Sequence, residues 1–210
     1  MKNQTLAAIL ALAVTASTLP AQQAAPAKHP SPPEVWKDYN PDAGDFKEEI
    51  ISEETKDGVY YKDSYISAYV NGEEIRVFCK YAVKAGAKNA PGLLNIHGWY
   101  APTRLDMDFV NDGWAQLAFD YCGKRPDRPH YTKYPKTLIY GNMDQGTANP
   151  EGYKPIDPNQ ITKPSQTADY LWSAIQRRAL SYFLTQKEVD KTRIGAKGYS
   201  YGGTIIWNLG

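Results

Sequence analysis

Five residues, Gly198-Tyr199-Ser200-Tyr201-Gly202, set a serine between two glycines, each two positions away. A serine hydroxyl is presented as a nucleophile when a sharp strand-to-helix turn pushes it out of the backbone. That turn leaves no room for side chains two residues to either side. The spacing therefore predicts an elbow made by Gly198 and Gly202, with Ser200 attacking a carbonyl carbon. The helix that starts there would aim the N–H of Tyr201 at the oxygen that becomes negative in the attack.

A second donor is needed for that oxygen, and sites of this kind take it from a turn after an earlier strand. The segment Ile96-His97-Gly98-Trp99 fits, with the backbone N–H of Trp99 as the candidate and Tyr100 behind it. His97 reads as a structural histidine bonded within the loop, because a base in this chain order follows the nucleophile.

The elements that must hold these residues are legible around them. Residues 64–70 and 75–83 are β-branched and aromatic runs separated by Asn71-Gly72, the strongest short hairpin signal. Residues 93–96 read as a buried parallel strand, 103–110 as a short helix and 114–119 as a second buried strand. Residues 121–164 show no periodicity and are rich in proline. Tyr121, Tyr131, Tyr134, Tyr140 and Tyr153 in that stretch either stack on sugar rings or pack the loop onto the domain. After Pro164 the residues Ala168, Leu171, Trp172, Ile175, Ala179, Tyr182 and Phe183 share one helical face. A turn over 187–191, a strand over 193–196, the elbow and a helix from 204 to 209 follow. Strands alternating with helices predict an α/β fold: an N-terminal antiparallel hairpin leading into a parallel sheet with helices on both faces.

Composition excludes several classes. The chain has 210 residues, 12% aromatic, which argues against disorder. Lys2 followed by the apolar run 6–14 and small residues reads as a secretory signal over 1–22, too short to span a bilayer. The expected location is secreted or periplasmic, with no stable membrane insertion after cleavage. Formal net charge is +1, and zero without Lys2, with no basic stripe for nucleic acid. Residues 23–58 read as a Pro/Ala-rich linker and polar lead-in, with one possible strand over 46–51. Cys79 reads as a core residue, and its pairing with Cys122 is open. No cluster has metal-ligand spacing and no glycine loop cradles phosphate, so no metal or cofactor is expected.

The chain resembles the secreted acetyl xylan esterase and cephalosporin C deacetylase-like branch of the α/β-hydrolases. Residues 91–99 (PGLLNIHGW), 114–123 (WAQLAFDYCG) and 170–203, with its EVD, RIG and elbow, carry the likeness. The resemblance covers 59–210 and implies Ser200 as nucleophile, with the amides of Trp99 and Tyr201 as oxyanion hole. Trp99 stands where many relatives have a Gly-rich turn, and Tyr201 where the closest deacetylases have Gln. It implies deacetylation of xylan or a related carbohydrate ester. The alternatives are a peptidase domain of prolyl-oligopeptidase type and a non-catalytic glycan-binding protein.

Nucleophilic serine chemistry needs a base and an orienting acid. The histidines are His29, His97 and His130, and none follows Ser200. The expectation is an α/β-hydrolase domain truncated after the elbow, with the acid and the base encoded beyond residue 210.

Overall fold

Hairpins build one half of the sheet and crossovers the other. The computed structural model describes residues 30–99, 101–124, 127–135 and 161–209. The chain divides into Met1–Ser31 and Pro32–Gly210. The signal expected over 1–22 and the linker up to residue 29 lie outside the described residues, so the description concerns the second unit.

Six strands form one sheet: β1 (Glu49–Lys56), β2 (Val59–Val70), β3 (Glu73–Lys84), β4 (Ala90–Ile96), β5 (Ala115–Phe119) and β6 (Val189–Gly198). Their order is β1-β2-β3-β5-β4-β6. The expected hairpin is β2–β3, paired Val70 to Glu73, with Asn71 and Gly72 at φ 52° and 81°. Both central residues at positive φ give the turn whose twist matches the strands. Asp57 and Gly58, at φ 51° and 77°, make the same kind of turn between β1 and β2. β3 runs antiparallel to β5, whereas β5, β4 and β6 are mutually parallel.

The two faces of the sheet are covered by different helices. On one lie α3 (Ala168–Phe183) and α4 (Tyr201–Trp207), and on the other α2 (Met107–Asn111). Every residue of the predicted α3 face is buried. The Thr167 hydroxyl accepts the Tyr170 N–H at 3.2 Å and starts the helix. α2 begins later than the pattern over 103–110 suggested, because the Asp106 carboxylate caps it by accepting the Asp108 N–H at 3.3 Å.

The polar lead-in is more structured than its composition indicates. α1 (Pro32–Trp36) precedes a turn, and the strand expected over 46–51 forms over Glu49–Lys56. Trp36, Tyr39 and Phe46 pack on the main core. Arg178, itself 1% exposed, holds this segment: Nε donates to the Ser67 carbonyl at 2.7 Å, and the two terminal nitrogens to those of Pro41 and Gly44 at 2.8 Å each. Cys79 and Cys122 are both buried, and burial pushes the Cys79 thiol up. No helix among the described residues is long and apolar enough to cross a membrane.

β6 is longer than the strand expected over 193–196, and the turn expected over 187–191 overlaps its first residues. An irregularity in its pairing explains the misreading: Pro91 faces Asp190, yet the next residue, Gly92, faces Ile194. The Asp190 carboxylate closes the intervening loop by accepting the Thr192 hydroxyl at 2.7 Å and the Arg193 Nε–H at 2.7 Å. The Thr192 bond, then Arg193, lowers the Asp190 carboxyl from 3.8 to about 2. A folded-state value below the unfolded one adds stability above the unfolded value and loses it as the pH falls through the folded one. Asp190→Asn is therefore expected to lower the urea midpoint at pH 7, with the difference from wild type vanishing as the pH is taken from about 4 to about 2.

Candidate active site

The parallel strands point their C-terminal ends at one edge, and the predicted residues meet there. β6 ends at Gly198, and Ser200 follows with φ 52° and ψ −123°, outside the conformations a serine ordinarily adopts. Holding it there costs about 1–3 kcal/mol, supplied by the packing around it. The glycines explain how. A Cβ on Gly198 would lie 2.5 Å from the carbonyl carbon and oxygen of Gly202. A Cβ on Gly202 would lie 2.4 Å from the Ile96 oxygen and 2.5 Å from that of His97. Those contacts are backbone on backbone, so the first turn of α4 sits directly on the end of β4.

The same junction joins the turn after β4 to the elbow. The Tyr199 N–H donates to the Ile96 carbonyl at 3.3 Å. A Cβ on Gly98 would lie 3.4 Å from Ser200 Cβ. Ser200 is exposed, and its hydroxyl makes no hydrogen bond to the helix it caps. Tyr201 is the first residue of α4, and a helix offers no carbonyl partner of its own to an N–H at that position.

The side chains of Trp99 and Tyr201 touch each other. Their rings meet edge to face at 4.8 Å, and both rest on Trp172, at 5.0 and 5.6 Å. The Tyr201 hydroxyl donates to an Asp169 carboxylate oxygen on the first turn of α3, and burial and then that bond push the phenol up. Asp169 and Trp172 do not announce themselves in the sequence as parts of this site. Trp172 lies on the helical face that the pattern shows, but nothing in the pattern ties Asp169 to the residue after the serine.

The two described histidines have structural surroundings, and His29 lies outside the described residues. His97 is buried, its ring stacks on Tyr121 at 4.5 Å, and Nδ1 donates to the Gly98 carbonyl at 2.8 Å. Nε2 lies 3.4 Å from Asp120 Oδ1 without hydrogen-bond geometry. The Asp120 carboxylate instead collects the N–H groups of Gly123 at 3.0 Å and Thr132 at 2.7 Å. His130 stacks on Phe78 at 5.5 Å, among the antiparallel strands. Of the loop tyrosines, Tyr121 and Tyr134 are buried: Tyr121 donates to the His97 carbonyl at 3.1 Å and Tyr134 to that of Tyr121 at 2.6 Å. These two pack the loop and offer no face to a sugar. Tyr140 and Tyr153 lie outside the described residues. No group of three or more potential metal ligands occurs among the described residues.

No family model matches the chain, and no curated protein matches its sequence. Solved structures do match its shape. An acetyl xylan esterase from Paenibacillus sp. R4 superposes with a TM-score of 0.59 at 17% identity, over 80% of this chain and 50% of that one. Acetyl xylan esterase 1 from Thermoanaerobacterium sp. JW/SL YS485 gives 0.55 at 20%, over 79% and 48%. The chain has the α/β-hydrolase fold. The likeness read from residues 91–99, 114–123 and 170–203 thus holds at the level of fold, and the chain spans about half the length of these solved structures.

Proposed function

We propose that the chain carries the nucleophile and oxyanion side of a serine carboxylic-ester hydrolase acting on acylated carbohydrate. The observation that supports this most is Ser200 held at positive φ, with backbone filling the space beside Gly198 and Gly202. In this reading Ser200 Oγ attacks the ester carbonyl, and the N–H groups of Trp99 and Tyr201 receive the oxyanion. The sugar hydroxyl leaves, and water releases the acid from the acyl-serine. The proton acceptor for Ser200 and its orienting carboxylate come from outside the described residues, since His97 and His130 are engaged elsewhere. Substrate class rests on the acetyl xylan esterases among the structural matches. The preferred substrate is an acetylated xylan or a fragment of one.

A competition experiment tests the substrate class. An aryl phosphonate that forms a covalent adduct with activated serines is reacted with the purified chain, and the adduct is mapped by mass spectrometry. Acetylated xylo-oligosaccharide is expected to slow labelling of Ser200, and the deacetylated oligosaccharide to slow it less. Equal rates with and without the acetylated sugar would remove carbohydrate esters as the substrate.

A further inference from the structure

At the opposite end of the parallel strands lies a polar cleft of about 580 Å³, lined by residues of β1, β2, β3 and the turn after α3. β4 alone has seven residues, so this end is about 20 Å from the elbow at 3.3 Å per residue. Its floor is a built hydrogen-bond network. Lys62, with a side chain only 8% exposed, lies 2.8 Å from Glu48 Oε1 and donates to Gln186 Oε1 at 3.0 Å. Its ammonium sits over the rings of Tyr81 and Tyr182 at 5.7 and 5.5 Å. Glu48 also accepts the Tyr182 hydroxyl, and Glu188 accepts that of Tyr81 at 3.2 Å. Tyr60 forms a half-buried wall, and Lys84 stands exposed at the rim.

The chemistry of this lining selects a ligand class. Carboxylate oxygens and the Gln186 carboxamide oxygen, which can accept further bonds, alternate with lysine ammonium donors, while the Gln186 amide N–H groups are spent on the Tyr182 carbonyl and the Thr185 hydroxyl at 3.2 Å each. A ligand that both donates and accepts at each group, as a sugar hydroxyl does, matches such a lining. Charge is nearly balanced, because Glu48 faces Lys62 and Glu188 lies 3.8 Å from Lys187, so neither a polyanion nor a polycation is favoured. The volume lies within the range of small-molecule sites, and a tyrosine face suits the apolar side of a pyranose. We infer that this cleft binds a neutral saccharide of one or two rings, held by Glu48, Lys62, Gln186 and Glu188 with a ring against Tyr60.

The site stands apart from Ser200, and its test does not depend on turnover. The full chain, labelled with ¹⁵N, is titrated with xylobiose while backbone amide signals are followed. Signals of residues 84–86 and 185–188 are expected to shift in a saturable way. Gln186→Ala and Tyr60→Ala are each expected to weaken binding about tenfold, the size of effect of one hydrogen bond or stacking interaction, and Ser200→Ala to leave it unchanged. Gln186 lies in a surface turn, so its variant remains informative if Tyr60→Ala unfolds. Three results would overturn the inference: no shift of these amides at roughly 10 mM xylobiose, shifts confined to residues 98–99 and 200–203, or tighter binding of digalacturonate than of xylobiose.

Discussion

Gly202→Ala is expected to destabilise the chain by about 3 kcal/mol, while Gly203→Ala next to it is neutral or slightly stabilising. The two glycines are consecutive on one short helix, so propensity alone would favour alanine at both. Space separates them. The new methyl at 202 would sit 2.4 Å from the Ile96 oxygen and 2.5 Å from the His97 oxygen, both backbone atoms that end a central strand. Neither can turn aside as a side chain would, so α4 must lift from β4 or the strand must bend. At 203 the nearest atom is the Gly198 oxygen at 3.7 Å, an ordinary van der Waals distance. Urea midpoints of the two variants measured side by side check the contrast.

Arg178→Met is expected to cost about 3–5 kcal/mol, although methionine fills a similar volume. Replacing a buried charge by an apolar chain is often harmless when its partner is removed too. Here the acceptors are the backbone carbonyls of Ser67, Pro41 and Gly44, and no substitution at 178 removes them. Burial weakens the protonated form of Arg178, yet a guanidinium stays charged, so the wild-type bonds are charge-assisted. The guanidinium also lies 3.9 Å from the Phe46 ring centre, a cation–π interaction that methionine does not make. Lower thermal stability, with faster amide exchange over residues 41–47, is the expected signature.

How much of the fold and site is legible in the sequence depends on whether an element advertises itself locally. α3 does, because Ala168, Leu171, Trp172, Ile175, Ala179, Tyr182 and Phe183 recur at three and four and every one of these is buried. β2 and β3 do, through Asn71-Gly72 and dense β-branched and aromatic residues. β1 carries an equally good turn signal in Asp57-Gly58, but it is an edge strand with nearly all residues exposed, so it has no apolar alternation to read. The extent of β6 is hidden by the looped residues between Asp190 and Ile194, which look like an ordinary turn. At the site, glycine spacing and chain order point to the elbow and to the turn after β4. The Tyr201–Asp169 bond and the ring contacts among Trp99, Trp172 and Tyr201 join residues 29 to 102 positions apart, and local pattern carries no record of them. Tyr121 and Tyr134 are ambiguous for the same reason: a tyrosine that closes a loop and one that meets a sugar have the same composition around them.

The central claim is that the fold presents Ser200 as a nucleophile facing two backbone N–H groups. The most direct measurement is the rate at which an aryl phosphonate labels Ser200, compared in one digest with the exposed Ser52 of β1. Removal of a single oxyanion donor in such sites lowers rates by about 10²–10³, so even without a base the preset donors are expected to favour Ser200 over Ser52 by at least about tenfold. That preference should disappear in Gly202→Ala, where the elbow cannot close. Equal labelling of the two serines in the wild-type chain would contradict the account.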